Sequence, residues 1–195
     1  MLYRMKVDVS ILFERPMKAK EACNVIKSIG LHDSFVAREC AVKRYSFAIP
    51  CVEAVEALVK LSPLVEVGAG SGYWSKIVRE AGADIVATDI GKQSGYSKLW
   101  NIVDVLQMSA LDAVKAYPDR NVFVCWPSYN EGWAAKMAKK IKPGRSLVYI
   151  GEGRGGATAD SDFFKVLDKY FNEVEQMSIP QWDGLHDFMS IFKRK

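Results

Sequence analysis

The 195-residue sequence has few cysteines and histidines. Its four cysteines, Cys23, Cys40, Cys51 and Cys125, contain no Cys-x-x-Cys pair, and there are only two histidines. A structural zinc site needs about four sulfur or imidazole ligands at close spacing. Disulfide frameworks belong to oxidising compartments. We therefore expect no metal site, and free thiols in a reducing cytosol.

Long apolar runs, internal repeats and low-complexity segments are also missing. A membrane-spanning helix needs about 20 mostly apolar residues, and no run approaches that length. Residues 1–6 lack the apolar core of a signal peptide. The hydrophobic share of 49% and the charged share of 26% are ordinary for a globular domain. We expect a soluble, cytoplasmic protein without a membrane partner.

Charge of one sign is not in large excess, because the formal net charge is only +4. A dedicated nucleic-acid-binding domain usually carries a stronger and more clustered basic signal. The lysines between residues 136 and 142 and the tail Lys193–Lys195 can contact phosphate or form a solvated surface. Nucleic acid therefore stays a weakly supported partner, and the oligomeric state stays open.

From residue 64 onward the sequence alternates between strand and helix patterns. Strands are predicted at Leu64–Val67, Ile85–Thr88, Val103–Met108, Val122–Cys125 and Leu147–Ile150. Helical faces follow them, and two last strands flank the turn Trp182–Gly184. Five such alternations predict a doubly wound α/β fold, with a mainly parallel sheet and helices on both faces.

Residues 1–62 have a different pattern and predict a mainly helical extension packed on a core domain of residues 63–195. Pro16 and Gly30 delimit one helix, and Pro50 and Ser62-Pro63 delimit another. The segment before them is ambiguous. Its strand-like positions are Val7, Val9, Ile11 and Phe13, and its helix-like positions are Leu2, Met5, Val9 and Leu12.

A glycine-rich turn, Glu66-Val67-Gly68-Ala69-Gly70-Ser71-Gly72, follows the first strand and opens a helix. Glycines let the backbone approach a ligand, and the helix N-terminus presents free amides to it. Asp89 ends the next strand, where a carboxylate can bind both ribose hydroxyls of an adenosine cofactor. The nicotinamide fingerprint Gly-x-Gly-x-x-Gly would need a third glycine where Tyr73 stands.

In these two motifs the sequence resembles the class I S-adenosylmethionine-dependent methyltransferases. Their first motif reads acidic-x-Gly-x-Gly-x-Gly, as Glu66–Gly72 does, and their second is an acid ending strand two, as Asp89 does. The likeness covers about two-thirds of the chain, from Leu64 onward. It implies a Rossmann-like fold and S-adenosylmethionine as cofactor, with the glycine turn at the methionine end and Asp89 on the ribose.

The third motif departs from the family pattern. Many relatives have Asp-Ala after strand three, where the acid binds the adenine amino group, but here the pair is Ser109-Ala110. A hydroxyl can accept a hydrogen bond, although an uncharged acceptor is weaker than a carboxylate. Ser109 is equally well suited to capping the next helix.

After strand four, Cys125-Trp126-Pro127-Ser128-Tyr129 resembles a distant variant of the Asn/Asp-Pro-Pro-Tyr motif of amino-group methyltransferases. Trp126 stands in the Asn/Asp position, and an indole offers only a hydrogen-bond donor. What remains is a proline turn between two aromatic rings. These rings can stack on a flat substrate or contact a sulfonium by cation–π attraction, or they simply cover the sheet edge.

Methyl transfer needs an aligned nucleophile and, for some acceptors, a base. His186 is one candidate and Glu152 another, and Arg154 is available for an anionic group. A structural hydrogen bond is the favoured alternative role for His186. Residues before the first motif fold over the cofactor in many relatives, which makes Tyr45, Phe47 or Ile49 candidates for that position.

The residues expected at the cofactor are Tyr45, Glu66, Gly68, Ala69, Gly70, Gly72, Asp89, Ser109, Ala110 and Cys125. Those expected at the methyl-transfer site are Trp126, Pro127, Tyr129 and His186. A poorly characterised group of small methyltransferase-like proteins is similar to this sequence in four segments, namely Tyr45–Pro50, Glu66–Trp74, Trp126–Tyr129 and Trp182–Asp187.

Three functions are compatible with these residues. The first is a methyltransferase acting on a small planar molecule or a nucleobase. The second is a regulatory protein that binds the cofactor without catalysis. The third is a DNA or RNA base methyltransferase with a degenerate Asn/Asp-Pro-Pro-Tyr motif. A nicotinamide oxidoreductase is a more remote fourth.

Overall fold

The computed structural model describes residues 9–91 and 103–195. Its strands are β1 (Leu64–Val67), β2 (Ile85–Asp89), β3 (Val105–Gln107), β4 (Asn121–Cys125), β5 (Ser146–Gly151), β6 (Phe171–Ser178) and β7 (Phe188–Arg194). Its helices are α1 (Ile11–Glu14), α2 (Ala19–Ile29), α3 (Leu31–Arg44), α4 (Val52–Lys60), α5 (Tyr73–Glu80), α6 (Ala110–Ala116), α7 (Trp133–Ala138) and α8 (Ser161–Tyr170). Within these ranges, none of the helices has the length and apolar character needed to cross a bilayer.

All seven strands form one sheet in the order β3-β2-β1-β4-β5-β7-β6. β1 to β5 pair in parallel, whereas β7 lies antiparallel between β5 and β6. The predicted doubly wound, mainly parallel sheet is therefore confirmed. The chain runs outward from β1 through β2 and β3, then returns to start β4 on the other side of β1. The strand order thus reverses at the gap between β1 and β4.

The central strands are short and apolar because both faces of the sheet are covered, as is usual for parallel sheets. In β5, Leu147 and Tyr149 belong to one core, whereas Val148 and Ile150 belong to the other. This alternation follows from the two-residue period of a strand. Residues of α6, α7 and α8 form the first core, and residues of α2 to α5 contribute to the second.

The N-terminal extension is mainly helical, as predicted, but it contains one helix that the sequence pattern did not reveal. Gly30 ends α2 as expected, and α3 begins at the very next residue. The buried positions of α3 include Ala37 and Ala41, which are too small to mark an apolar stripe. In the ambiguous first segment, Ile11–Glu14 is helical, whereas Leu2, Met5 and Val7 lie outside the described residues.

A cluster of aromatic rings joins this extension to the core domain. Phe13 stacks on Tyr45, with ring centroids 4.8 Å apart and planes 6° apart. The Tyr73 hydroxyl, on the first residue of α5, donates a 2.6 Å hydrogen bond to the Phe13 carbonyl. The buried ring of Trp182 lies 6.4 Å from Phe13. Both parts of the chain therefore share one core, while the division between residues 62 and 63 stays a prediction.

We expect Tyr73→Phe to lower the free energy of unfolding by about 1–2 kcal/mol, because a buried carbonyl at Phe13 loses its partner. Urea unfolding measures the change. Tyr129→Phe is the matched control, since Tyr129 is 64% exposed and should leave the stability within about 0.5 kcal/mol of wild type. Equal stability of the two variants would show that the Tyr73 hydrogen bond contributes nothing.

Candidate active site

The candidate site lies at the carboxyl ends of β1, β2 and β4, beside the reversal of strand order. Open parallel sheets bind their ligands in this crevice, because the loops that leave neighbouring strands diverge there. A cavity of about 370 Å³ occupies this position. Small-molecule sites typically have volumes of about 300–1,000 Å³.

The glycine turn between β1 and α5 forms one wall of the cavity. Gly68 and Gly70 have φ angles of +69° and +56°, a backbone region that side chains disfavour. The Ala69 N–H donates to the Thr88 carbonyl at 3.0 Å, which fixes the turn to β2. A Cβ at Gly70 would meet no protein atom within 4 Å, so the space beside this backbone is open.

Gly72 is a glycine for a different reason. It does not line the cavity, and it caps the N-terminus of α5 with a φ of +78°. A Cβ there would lie 2.5 Å from Val103 Cγ2 and 2.9 Å from Val105 Cγ2. Its place in the motif thus follows from the approach of α5 to the segment that leads into β3.

Asp89 ties the end of β2 to the glycine turn. Its carboxylate accepts a 2.9 Å hydrogen bond from the Gly70 N–H and a 2.8 Å hydrogen bond from the Gly91 N–H. A carboxylate has about four lone-pair positions, so each oxygen can accept a further hydrogen bond. Asp89 lines the cavity and is therefore able both to shape the turn and to bind a ligand hydroxyl.

Glu66, in the middle of β1, places a carboxyl group at the floor of the site. It is buried, and its Oε2 accepts a hydrogen bond of 2.5 Å from the Ser75 hydroxyl. Burial raises the pKa of Glu66 to about 7, against the lowering effect of the Ser75 hydrogen bonds. Neighbouring Asp89 raises the pKa further. The group can therefore be neutral or ionised near physiological pH.

The segment before α4 forms another wall of the cavity and is bonded to the glycine turn and α5. The Ser71 hydroxyl donates to the Tyr45 carbonyl at 3.2 Å, and the Trp74 indole N–H donates to the Ser46 hydroxyl at 2.9 Å. Tyr45, Ser46 and Phe47 line the cavity. Ile49, the third residue suggested for this role, is buried in the core instead.

Ser109 caps α6 and also lines the cavity. Its hydroxyl accepts from the Asp112 N–H at 3.2 Å and donates to the Asp112 carboxylate at 2.6 Å. The hydroxyl hydrogen is therefore committed to the cap, and only one lone pair is left for a ligand. Ala110 lines the cavity next to it.

At the end of β4, Cys125 and Trp126 complete the wall. The Trp126 ring stacks on Phe47 with centroids 5.1 Å apart and planes 12° apart, and the Arg38 guanidinium lies 5.3 Å from the indole centroid. Burial raises the pKa of the Cys125 thiol well above its usual range. This thiol is therefore a poor nucleophile at neutral pH.

Pro127 and Tyr129 lie outside the cavity. The Pro127 carbonyl accepts a 2.9 Å hydrogen bond from the Ala159 N–H, which joins this turn to the loop after β5. The Tyr129 ring is 64% exposed. Among the described residues of this turn, Trp126 and Ser128 are the ones that line the cavity.

His186 also lies outside the cavity, and its side chain is 84% exposed. The backbone N–H of His186 donates to Glu152 Oε1 at 2.9 Å, while Glu152 Oε2 accepts from the backbone N–H of Ala157 at 2.7 Å. Burial works to raise the pKa of Glu152, but these donors outweigh it and lower that pKa. Glu152 thus connects the backbone of His186 to the loop after β5. In the same loop, Arg154 forms an ion pair with Asp168 on α8.

The residues expected at the cofactor converge on one place. The expected site residues that line the cavity are Tyr45, Glu66, Gly68, Ala69, Gly70, Asp89, Ser109, Ala110, Cys125 and Trp126. The expected residues that do not line it are Gly72, Pro127, Tyr129 and His186. Sequence reasoning missed several further lining residues, which include Lys43, Ser46, Glu131, Trp133 and Lys136. It also missed Arg38 and Asp187 beside Trp126. An acid directly before the last strand was the one available signal for Asp187.

No protein-family model matches the sequence, and no curated protein sequence does so either. Solved structures do share its fold. One is magnesium protoporphyrin IX methyltransferase from Synechocystis PCC 6803 with bound S-adenosylmethionine. It is 15% identical, with a TM-score of 0.51 over 73% of this chain and 79% of that chain.

Another is 1,6-didemethyltoxoflavin-N1-methyltransferase from Burkholderia thailandensis with bound 1,6-didemethyltoxoflavin and S-adenosylhomocysteine. It is 13% identical, with a TM-score of 0.50 over 91% of this chain and 90% of that chain. At such low identity these likenesses concern the fold. The chain has the Rossmann-like fold of class I S-adenosylmethionine-dependent methyltransferases.

We expect Glu66 to make the protein less stable as pH rises. Its pKa is raised from 4.5 to about 7 by folding, so the folded state binds more protons than the unfolded state between these values. The contribution of Glu66 to the free energy of unfolding therefore falls as pH rises from 4.5 to about 7. Glu66→Gln should reduce this fall by roughly 3 kcal/mol.

Urea unfolding at half-unit steps of pH measures the effect. Glu80→Gln, on the exposed side of α5, controls for the removal of one carboxylate. An unchanged pH dependence in Glu66→Gln would show that the buried carboxyl titrates alike in both states.

Proposed function

We propose that the protein is an S-adenosylmethionine-dependent methyltransferase that acts on a flat small-molecule acceptor. The observation that carries this proposal is the joint position of the glycine turn and Asp89 at the cavity. The Asp89 carboxylate holds the Gly70 N–H and keeps lone pairs free beside an open stretch of backbone. The fold is one on which such enzymes are built, as the two solved structures illustrate.

The residues at the cavity fit the cofactor. Asp89 can accept hydrogen bonds from ribose hydroxyls, and the backbone from Gly68 to Gly70 can approach the ligand without Cβ interference. Glu66 offers a negative charge to the cationic methionine end once it ionises. Tyr45, Ser109 and Ala110 supply the remaining walls. When bound, the cofactor supplies an electrophilic methyl group on a sulfonium.

A nicotinamide cofactor fits this turn less well. The third glycine of its fingerprint allows close packing of the helix on the strand. Here that position is Tyr73, whose buried ring reaches into the N-terminal extension and bonds to the Phe13 carbonyl. The site therefore favours S-adenosylmethionine over NADH.

The relative from Burkholderia thailandensis was crystallised with a small-molecule acceptor, and its alignment includes most of the N-terminal extension of this chain. In this chain, the same extension supplies Tyr45 and Phe47 to the cavity wall. The stacked pair Phe47–Trp126 gives this wall a flat aromatic surface. These features favour a planar acceptor.

A second candidate is methylation of a base within a nucleic acid. Lys43 and Lys136 are exposed and both line the cavity, so they can meet the phosphates that flank a base. Binding of a single-stranded oligonucleotide that weakens steeply as salt rises from 50 to 200 mM would favour this candidate. No binding at 50 mM salt would dismiss it.

Calorimetric titration with S-adenosylmethionine and S-adenosylhomocysteine tests the proposed function, with NADH as control ligand. We expect both adenosyl ligands to bind, and Asp89→Ala to weaken each of them by about 5- to 150-fold, the range for leaving buried hydroxyls unpaired. Asp183→Ala, which removes an exposed aspartate, should bind as wild type does.

Gly70→Val should abolish binding, since a branched side chain would occupy the open space beside the turn. Circular dichroism must show that this variant is folded, because its positive φ strains a valine. Undiminished affinity in both Asp89→Ala and a folded Gly70→Val would remove the glycine turn from the binding site.

A further inference from the structure

Buried polar atoms without partners gather around Trp126. In the described part of the chain, six buried side-chain nitrogen or oxygen atoms make no hydrogen bond. Four of them belong to three residues, namely both carboxyl oxygens of Asp187, Nε1 of Trp126 and Nε of Arg38. Arg38 lies against the Trp126 ring, and its charge lowers the pKa of Asp187. These atoms therefore form one cluster.

An unpaired buried carboxyl group is costly and rare. Asp187 is completely buried, and native structures satisfy the large majority of such groups. The Trp126 indole N–H lies near enough to lower the pKa of Asp187, yet the two groups miss hydrogen-bond geometry. A group kept in this state opposes folding. Unsatisfied buried groups of this kind are typical of binding and catalytic sites.

The backbone at Trp126 is unusual as well. Its φ is +53°, a conformation that is an outlier for a bulky side chain. The conformation is held by the Trp126 N–H, which donates to the Ile150 carbonyl at 2.8 Å. Because Trp126 Nε1 has no partner, rotation of the indole would break no hydrogen bond. Strain of this kind clusters at ligand sites.

The sheet register places this cluster at the ligand-binding edge. Phe188, the first residue of β7, pairs with Gly151 at the end of β5, so Asp187 lies at the carboxyl end of the parallel strands. Trp126 directly follows β4 at the same edge and lines the cavity. The Asp187 carboxyl is therefore one side chain away from the cavity.

The surroundings of Asp187 set its proton affinity. Burial raises the pKa of Asp187 to about 7, and the charge of Glu152 raises it further. Arg38 on α3 and His186 lower it, and Cys125 on β4 and Tyr149 on β5 are the other titratable groups near it. Because these effects leave its pKa near neutral pH, the Asp187 carboxyl group can take up a proton and release it there.

We propose that Asp187, together with the Phe47–Trp126 pair, forms the subsite for the methyl acceptor. The acceptor is a flat heteroaromatic ring with an N–H or O–H group. After rotation of the Trp126 indole, the ring packs against Phe47 and the indole beside the Arg38 guanidinium, and its N–H or O–H donates to the unpaired Asp187 carboxylate. This assignment rests on the proposed function and adds the chemical class of the substrate to it.

Methyl transfer to this acceptor moves one methyl group and one proton. A lone pair on the ring nitrogen or oxygen forms a bond to the methyl carbon, the methyl–sulfur bond breaks, and its electron pair stays on sulfur. The proton leaves the same ring atom for the Asp187 carboxylate. Asp187 then releases this proton to solvent, and no oxidant, reductant or metal is consumed.

Fluorescence titration with lumazine tests the subsite. Lumazine is a flat, fluorescent pteridinedione with ring N–H groups, and 1,3-dimethyllumazine is its matched control without them. With the protein saturated by S-adenosylhomocysteine, lumazine should bind wild type at least about tenfold more tightly than the dimethyl analogue, as expected for a hydrogen bond to a carboxylate. Asp187→Leu should abolish this preference and leave the affinity for S-adenosylhomocysteine unchanged.

Thermal melting gives a readout that needs no ligand. Leu has nearly the shape of Asp and removes two unpaired buried oxygens, so Asp187→Leu should melt at the same temperature as wild type or higher. A lower melting temperature would show that the carboxyl has a structural role, and the subsite assignment would be wrong.

The two proposals fail in different ways. If S-adenosylhomocysteine does not bind, the proposed function fails. If it binds but wild type holds both lumazines equally, or holds neither at millimolar concentration, the acceptor subsite alone is overturned. The subsite is likewise overturned if Asp187→Leu keeps the preference for lumazine.

Discussion

A parallel sheet must be covered on both faces, and the architecture of this protein follows from that constraint. The strands β1, β4 and β5 are almost wholly buried, so neither face can meet water. Helices α6 to α8 cover one face, and α5 cannot cover the other without help. The N-terminal helices complete that second layer. In doing so they carry Tyr45, Phe47 and Arg38 to the carboxyl edge of the sheet, where the cavity lies.

The cavity has two halves of different physical character. Around β1 and β2 the walls are backbone and hydrogen-bonded carboxyl groups, as at Asp89, whose two oxygens each accept one amide N–H. Around β4 the wall is aromatic, and Asp187, which lies behind Trp126 next to β7, has no hydrogen-bond partner. Glu66 and Asp187 both have a pKa raised to about 7 by burial, yet only Glu66 has a hydrogen bond from a hydroxyl. The first half is preorganised, whereas the second holds unsatisfied polar groups at a cost in stability.

The sequence allowed the order of strands and helices after residue 64 to be predicted, together with most of the residues at the glycine turn. These signals are local: a run of glycines, an acid at a strand end and the period of apolar residues. Asp187 and Arg38 lie 61 and 88 residues from Trp126 in the chain, on either side of it. Their approach depends on the position of β7 in the sheet and on α3, whose buried alanines give no clear pattern. Pro127 and Tyr129 were expected at the methyl-transfer site from motif likeness, but they lie outside the cavity, and the Pro127 carbonyl bonds to Ala159 in the loop after β5.

The place of β7 in the sheet also sets an order in time. β7 follows β6 in the chain but inserts between β6 and β5. During synthesis, the glycine turn and Asp89 therefore leave the ribosome before Asp187 does. The edge of β5 opposite β4 has no neighbouring strand until β7 has been synthesised. The carboxyl group behind Trp126 reaches its place last, together with the strand that joins β5 to β6.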